Sequence, residues 1–233
     1  MRYGFGVDIG GTTVKIAFFD EQGKMLDKWQ ITTNTSNGGS AILPDTAKSI
    51  RDYLQKNHIS DDHIIGVGVG VPGPVDEQGI VNRCVNLGWG MVDLHGELAR
   101  LTGFPVKGGN DANVAALGEC WKGSGAGSRS MVMATLGTGI GGGIVLDGKI
   151  IGGAHGAGGE IGHMVLNPTE SEICGCGKRG CAEQYCSATG VVRLANRYLD
   201  AHDDESVLRR KRVIHCKDVF DAAKKGDIAS MKI

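Results

Sequence analysis

The chain has 233 residues, with 25 basic and 26 acidic side chains and a formal net charge of -1. This length is enough to bury a hydrophobic core in one large or two small domains, and the near-neutral charge gives no electrostatic footprint for nucleic acid. No apolar run approaches the ~20 residues of a membrane span. The N-terminus enters a strand pattern at once, so we expect no signal peptide. Seven cysteines without a secretory signal indicate reduced thiols in the cytoplasm.

The first half of the sequence predicts a strand meander followed by alternating helices and strands. Strands are expected at 3–9, 14–19 and 24–32, separated by a Gly/Thr turn and an acidic turn with glycine. The elements expected after the meander are a helix at 41–56, a buried strand at 64–71, a helix at 94–101, a strand at 105–107 and a helix that opens at 113–119.

The second half repeats the opening pattern. Strands are expected at 130–136 and 140–146 around a second Gly/Thr turn, and both hairpins end in an acidic residue followed by a turn glycine. We interpret this as an internal duplication, and a chance match of two glycine-rich hairpins is the alternative. Helices are expected at 187–199 and 216–231, but no later strand matches 64–71, so the second copy is expected to be incomplete at its C-terminal end.

The two Gly/Thr hairpins could hold the phosphates of a nucleotide. Backbone N–H groups in such turns point at anionic oxygens, and threonine hydroxyls add donors. The pattern is not a Walker A loop, and its first glycines lead into a strand, unlike a dinucleotide-binding fingerprint. Asp8 could bind Mg²⁺ through water or simply start the turn. Lys15 could reach a phosphate or be exposed.

The segment Asn110-Asp111-Ala112-Asn113 follows a strand and begins a helix. Asn and Asp are preferred N-cap residues, which is a sufficient structural reason for the pattern. Asp111 could also act as the carboxylate that orients an alcohol and accepts its proton in phosphoryl transfer. The segment alone does not separate these two roles.

Three cysteines occupy eight positions at Cys174, Cys176 and Cys181, and His163 lies eleven residues before the first. Three thiolates and an imidazole complete a tetrahedral Zn²⁺ shell, so the spacing favours a structural zinc knuckle over small buried cysteines. A filled shell leaves no open position for catalysis.

Seven short motifs, in order, resemble the ROK family of repressors, open reading frames and sugar kinases. They are DIGGT at 8–12, VGVPGPV at 69–75, NLGW at 86–89, NDAN at 110–113, LGTGIGGG at 136–143, GEIGHM at 159–164 and CGCGKRGCAE at 174–183. Within the family, the chain most resembles the bacterial ATP-dependent kinases that act on glucose.

The resemblance implies an α/β protein with the two-domain actin-like ATPase (ribonuclease H-like) fold and an active site in the interdomain cleft. The expected domains are 1–118, with the first phosphate hairpin and the catalytic aspartate, and an incomplete 119–233, with the second hairpin and the knuckle. It also implies Asp111 as the general base. The expected sugar-binding residues are Asn110, Asp111, Glu160, His163, Glu183, Gly73 and Asn86. The expected ATP-binding residues are Asp8, Gly10, Gly11, Thr12, Thr13, Lys15, Gly137, Thr138 and Gly139. The expected zinc ligands are His163, Cys174, Cys176 and Cys181.

The implied function is ATP-dependent phosphorylation of the 6-hydroxyl of glucose, with ATP, Mg²⁺ and a structural Zn²⁺ and with a homodimer as the expected assembly. N-acetylmannosamine and fructose are alternative substrates. A non-catalytic sugar-binding protein is another alternative, because family members continue past this point with a segment that contacts adenosine. The family's repressors carry an N-terminal helix-turn-helix that this sequence lacks, so we expect no nucleic-acid partner, and we expect no membrane partner.

Overall fold

The computed structural model describes residues 1–154 and 156–233. These residues form two compact units. Unit 1 comprises 1–133 and 143–159, and unit 2 comprises 134–142 and 160–233. The division into domains at 1–118 and 119–233 stays a prediction. In the described part of the chain, no helix is both long enough and apolar enough to cross a membrane.

The structure alternates strands and helices along the chain. The strands are β1 (Tyr3–Ile9), β2 (Thr13–Asp20), β3 (Met25–Thr32), β4 (Ile64–Val71), β5 (Ile80–Val81), β6 (Val92–Asp93), β7 (Val106–Asn110), β8 (Met131–Leu136), β9 (Ile140–Leu146) and β10 (Lys149–Ile150). The helices are α1 (Ser36–Gly39), α2 (Ile42–Lys56), α3 (Leu94–Thr102), α4 (Asp111–Lys122), α5 (Glu183–Cys186), α6 (Ala188–Ala201), α7 (Cys216–Ala223) and α8 (Ile228–Lys232).

Unit 1 is built on a five-stranded sheet in the order β3-β2-β1-β4-β7. The antiparallel pairing of β1 with β2 and of β2 with β3 confirms the predicted meander. Strand β4 pairs parallel with β1 on one side and with β7 on the other. The carboxyl ends of these three strands therefore lie at one edge of the sheet.

The two faces of this sheet differ because the strands alternate large apolar side chains with glycine. Phe5, Val7 and Ile9 of β1 are buried in one core with apolar side chains of α2 and α3. The intervening positions Gly4 and Gly6 lie on the other face. Helix α4 contacts β4 and β7. A Cβ atom added at Gly70 would lie 3.9 Å from Cβ of Val114, so the glycine side of the sheet receives α4.

The predicted helix at 216–231 is wrong in its middle. The chain forms α7 and then α8, and Gly226 between them has a φ of 84°, which a continuing α-helix does not allow. Asp227 then caps α8, since its carboxylate accepts hydrogen bonds from the backbone N–H and the hydroxyl of Ser230. The apolar periodicity of the sequence continues across this break because α7 and α8 each bury one face in the same hydrophobic cluster of unit 2.

A buried carboxylate, Glu170, organises unit 2. Its side chain is 1% exposed and accepts hydrogen bonds from the Tyr185 hydroxyl at 2.6 Å and from Arg197 at 3.0 Å. Arg193 lies 3.3 Å from the same carboxylate and also donates to the Gln184 carbonyl at 2.9 Å. These donors hold the pKa of Glu170 far below its usual value, with the Tyr185 hydrogen bond as the largest cause. The network joins the loop at 167–172 to α5 and α6.

We expect Glu170→Gln to lower the free energy of unfolding by about 3 kcal/mol at pH 7, because it removes the buried carboxylate that pairs with partly buried Arg193. Since the pKa of Glu170 is depressed in the folded state, its stabilising contribution is complete above the ordinary pKa of 4.5 and is lost as the pH falls below that value. Urea unfolding from pH 7 to pH 3.5 measures both effects.

The matched control for this prediction is Glu172→Gln. Glu172 also pairs with Arg193, but its side chain is 49% exposed, so we expect a cost below ~1 kcal/mol. Equal destabilisation by the two substitutions would contradict the role given to the buried carboxylate.

Candidate functional site

The carboxyl ends of β1, β4 and β7 bring Asp8 and Asp111 to the same edge of the sheet. Asp8 of β1 is in register with Gly70 of β4, and Val71 of β4 is in register with Asn110 of β7. A Cβ atom at Gly70 would lie 3.5 Å from Cα of Asp111. Asp111, the predicted base, and the end of β1, which leads into the first Gly/Thr turn, therefore meet at the carboxyl edge of the sheet. Open α/β sheets bind ligands at this edge.

The first Gly/Thr turn is closed by backbone hydrogen bonds. The N–H of Gly10 donates to the Thr13 carbonyl at 3.0 Å, and the hydroxyl of Thr33 donates to the Gly10 carbonyl at 2.6 Å. Gly11 and Thr12 are exposed at the tip of this turn. Lys15 is exposed and forms an ion pair with Asp8 at 3.0 Å, so its ammonium already lies beside the turn.

The sequence left helix capping and general-base catalysis as alternative roles for this segment. In the structure, Asn110 caps the helix and Asp111 remains accessible. The side chain of Asn110 is the N-cap of α4 and accepts from the N–H groups of Ala112 and Asn113. Asp111 is the first helical residue and is exposed, and its carboxyl accepts from the Ala112 N–H at 2.8 Å. Partial desolvation by neighbouring atoms, with a smaller contribution from the charge of Asp8, raises the pKa of Asp111 above its usual 3.8. Asp111 is thus an accessible carboxylate with increased basicity, as a general base requires.

Asn86 and Gly73 lie close to this edge of unit 1. A Cβ atom at Gly11 would come within 3.1 Å of the Asn86 carbonyl oxygen, and one at Gly73 within 3.1 Å of the Arg83 carbonyl. The charge of Asp111 contributes to a raised pKa of the Cys84 thiol, after burial as the largest cause. These contacts place the loop at 83–86 beside both the first Gly/Thr turn and Asp111, the candidate base.

A polar cavity of about 410 Å³ borders Asn110 in unit 1. This volume is within the usual range for small-molecule sites. Besides glycine backbone, the polar groups around it belong to Asp76, Glu77, Gln78, Asn110 and Asn113.

The second Gly/Thr turn, Gly137-Thr138-Gly139, lies in unit 2 and is fastened to the start of α6. The N–H of Ala188 donates to the Gly137 carbonyl at 2.9 Å, and the hydroxyl of Thr189 donates to the Thr138 carbonyl at 2.7 Å. Gly137 and Thr138 are exposed. The backbone of this turn is therefore held in place while its surface remains accessible to a ligand.

The predicted metal ligands come together in unit 2. The donor atoms of His163, Cys174, Cys176 and Cys181 all lie within 4.8 Å of one another. The Sγ atoms of Cys176 and Cys181 are 3.6 Å apart, and Nδ1 of His163 is 3.7 Å from Sγ of Cys174. Zn–S bonds of about 2.3 Å in a tetrahedron place sulfurs about 3.8 Å apart, so this donor set fits a four-coordinate metal ion.

Glu160 lies on the other side of the His163 ring. Nε2 of His163 is 4.0 Å from a carboxylate oxygen of Glu160, whereas Nδ1 faces Cys174. A carboxylate beside the second ring nitrogen is the usual arrangement around a metal-bound histidine. The structure therefore brings together His163, Glu160 and the cysteine cluster.

Glu183 starts α5 two residues after Cys181 and contacts the second turn. One of its carboxylate oxygens accepts from the Ile140 N–H at 3.0 Å. The predicted site residues thus form two groups, one in each unit. The sequence did not reveal this bond, the anchoring role of Thr189 or the Glu170 network, because their partners are 43, 51 and 15–27 residues away and follow no local motif.

Comparisons with known proteins agree with the motifs. A model of the ROK family matches residues 4–233. The chain is 42% identical to a glucokinase from Halalkalibacterium halodurans, over 100% of this chain and 72% of the relative. It is 32% identical to an N-acetyl-D-glucosamine kinase from Vibrio cholerae, over 97% of this chain and 72% of the relative. The crystal structure of a ROK family glucokinase from Streptomyces griseus in complex with glucose and AMPPNP matches with a TM-score of 0.69 and 32% identity, over 99% of this chain and 73% of that chain.

The strand order of unit 1, the two Gly/Thr hairpins and this structural likeness define a protein of the two-domain actin-like ATPase class, which confirms the predicted fold. The family resemblance is confirmed as well. The chain belongs to the ROK family.

The proximity of Asp8 gives a test of the electrostatics at Asp111. We expect Asp8→Asn to lower the pKa of Asp111, because the substitution removes a like charge and frees the ammonium of Lys15. A carboxyl-carbon NMR titration of wild type and variant measures the pKa of Asp111 directly. Asp52→Asn is the control and should leave that pKa unchanged, because Asp52 is exposed on the solvent side of α2. A wild-type pKa of Asp111 at or below 3.8 would contradict the increased basicity given to this carboxylate.

Proposed function

We propose that this chain is an ATP-dependent sugar kinase that transfers the γ-phosphoryl group of ATP to the 6-hydroxyl of glucose. The observation that carries the proposal is Asp111, an accessible carboxylate of raised pKa at the carboxyl edge that also holds the Asp8 turn. A general base beside a phosphate-binding turn is what transfer to an alcohol needs. The likeness to glucokinases supports glucose as the acceptor.

In this mechanism Asp111 accepts the proton of the 6-hydroxyl as the sugar oxygen bonds to the γ-phosphorus. The bond from that phosphorus to the bridging oxygen of ADP breaks in the same displacement, and glucose 6-phosphate and ADP leave. Asp8 would hold Mg²⁺ through water, and the ion would neutralise phosphate charge.

The remaining residues bind and orient the two substrates. The sugar hydroxyls are recognised by hydrogen-bonding groups of Asn110, Glu160, His163, Glu183, Gly73 and Asn86. Carboxylates suit this task because each accepts from adjacent hydroxyl pairs. The phosphates are bound by the turns of Gly10, Gly11, Thr12 and Thr13, with Lys15, and of Gly137, Thr138 and Gly139.

A second acceptor sugar is favoured by one observation. An N-acetyl-D-glucosamine kinase is also similar, over 97% of this chain. The substrate panel therefore includes glucose, N-acetylglucosamine, N-acetylmannosamine and fructose. ADP release with each sugar measures the preference, and glucose should give the highest kcat/KM. No turnover with any hexose would contradict the proposed function and favour a non-catalytic sugar-binding protein.

We expect Asp111→Asn to lower kcat by about 10³-fold, because the amide cannot accept the proton. The dissociation constant for glucose, measured by calorimetry, should change by no more than about threefold, since the side chain keeps its shape and its hydrogen bond to the Ala112 N–H. Asp52→Asn is the control for turnover, because its exposed carboxylate lies on α2. Retained turnover in Asp111→Asn would refute the base assignment.

We also propose that His163, Cys174, Cys176 and Cys181 hold one structural Zn²⁺. The ion would fix the knuckle and, through it, the positions of His163 and Glu183. Elemental analysis should find about one zinc per chain, and Cys176→Ser should lose most of it. Sugar affinity should fall by about tenfold in that variant, although Cys176 is not a sugar ligand.

Cys216→Ser is the control for the zinc prediction, because Cys216 begins α7 and lies outside the cluster. It should keep both the zinc and the sugar affinity. Full sugar affinity in a zinc-free Cys176→Ser protein would show that the knuckle does not position the sugar ligands.

A further inference from the structure

Only one carboxylate oxygen of Glu183 is hydrogen-bonded next to the second Gly/Thr turn, which is the proposed second phosphate turn. Oε2 accepts from the Ile140 N–H at 3.0 Å, and Ile140 is the first residue of β9 after Gly139. Among residues 1–154 and 156–233, no donor is bonded to Oε1. Glu183 is partly buried. One oxygen therefore binds the turn while the other can accept from a ligand.

Gly139 leaves the space that this carboxylate occupies. A Cβ atom at Gly139 would lie 2.1 Å from Oε2 of Glu183, closer than real Cβ contacts allow. The φ of Gly139 is not in the left-handed region, so backbone conformation does not demand glycine here. Gly137 in the same turn also lacks a positive φ, and a Cβ atom there would meet nothing within 4 Å. The carboxylate accounts for the glycine at 139 and not for the one at 137.

The segment that begins with Glu183 holds the turn at two further points. Ala188 and Thr189 donate to the carbonyls of Gly137 and Thr138, as described above. Three backbone groups of residues 137–140, on Gly137, Thr138 and Ile140, are therefore hydrogen-bonded to residues 183–189. A displacement of Glu183 is transmitted to the same backbone that is proposed to bind phosphate.

We propose that Glu183 is a positioning residue for the second phosphate turn as well as a sugar ligand, so that sugar and nucleotide binding are coupled through its hydrogen bond to Ile140. The inference rests on the proposed kinase function. A sugar hydroxyl on Oε1 would orient the carboxylate whose Oε2 holds the turn. Because coupling between two ligands is reciprocal, a bound nucleotide then favours the carboxylate position that accepts the sugar.

The test compares alanine at two positions of one turn. Calorimetry with glucose, without nucleotide, should show that Gly139→Ala weakens sugar affinity by about tenfold, because the new methyl group displaces the Glu183 carboxylate. Gly137→Ala adds the same methyl group where there is room, and its sugar affinity should stay within about twofold of wild type. Equal sugar affinities for the two variants would overturn the inference.

A second set of variants separates charge from hydrogen bonding at Glu183. Glu183→Gln keeps an oxygen that accepts from the Ile140 N–H, whereas Glu183→Ala removes it. Without sugar, Glu183→Ala should weaken binding of a non-hydrolysable ATP analogue by about tenfold, and Glu183→Gln by less than about threefold. Equal losses in Gln and Ala, or none in Ala, would overturn the positioning role.

The double variant Gly139→Ala/Glu183→Ala checks that both substitutions act through one contact. It should bind glucose no more weakly than Glu183→Ala alone, because the displaced carboxylate is already absent. Additive losses would overturn the inference. Wild-type turnover of a hexose, measured in parallel, keeps this outcome separate from failure of the proposed function, which would appear as no turnover in the unmodified chain.

Discussion

The parallel pairing of β4 with both β1 and β7 is the constraint on which unit 1 depends. It aligns three strand ends, so that the residues after each strand share one edge of the sheet. The glycines of β4 on the α4 side allow Asp111 to lie against the strand itself. A Cβ atom at Gly70 would already be in van der Waals contact with Cα of Asp111, at 3.5 Å, so a larger side chain would crowd the start of α4. The position of the candidate base in unit 1 therefore depends on the sheet more than on any loop.

Unit 2 uses a different device. Its candidate site residues, such as His163 and Glu183, lie on short segments, and polar clusters surround them. The donor atoms of His163 and the three cysteines lie within 4.8 Å of one another, and the buried Glu170 joins the loop at 167–172 to α5 and α6 through Arg193. Buried charge is costly to desolvate, and the hydroxyl of Tyr185 and the guanidinium of Arg197 offset that cost at the Glu170 carboxylate. Glu183 lies two residues after Cys181 of the first cluster and two residues before Tyr185 of the second.

Much of this architecture could be predicted because its signals are local. Strand alternation and turn glycines located the meander, and the N-cap pattern placed the start of α4 within two residues. The spacing of the three cysteines identified a donor cluster that the structure assembles. The local sequence could not decide between helix capping and a general base at Asn110-Asp111, because Asn110 caps the helix and Asp111 remains available to a ligand.

The rest could not be predicted because it depends on contacts between distant residues. A single glycine at 226 interrupts an apolar period that the sequence continues, and only the positive φ reveals the break. Glu170 looks like any surface glutamate in the polar stretch TESE until folding surrounds it with Tyr185, Arg193 and Arg197. The bond from Ile140 to Glu183 involves a backbone N–H, which every residue except proline carries, so no residue type marks it.

The hairpin of β8 and β9 has a consequence for how this chain can be divided. Residues 134–142 belong to unit 2, although the residues on either side of them belong to unit 1. No single cut therefore yields both units whole. A break after residue 159 preserves unit 1 but separates unit 2 from the turn that contacts Glu183. An exchange of unit 2 alone with a relative would have to carry residues 134–142 and 160–233 together, as two separate segments of the gene.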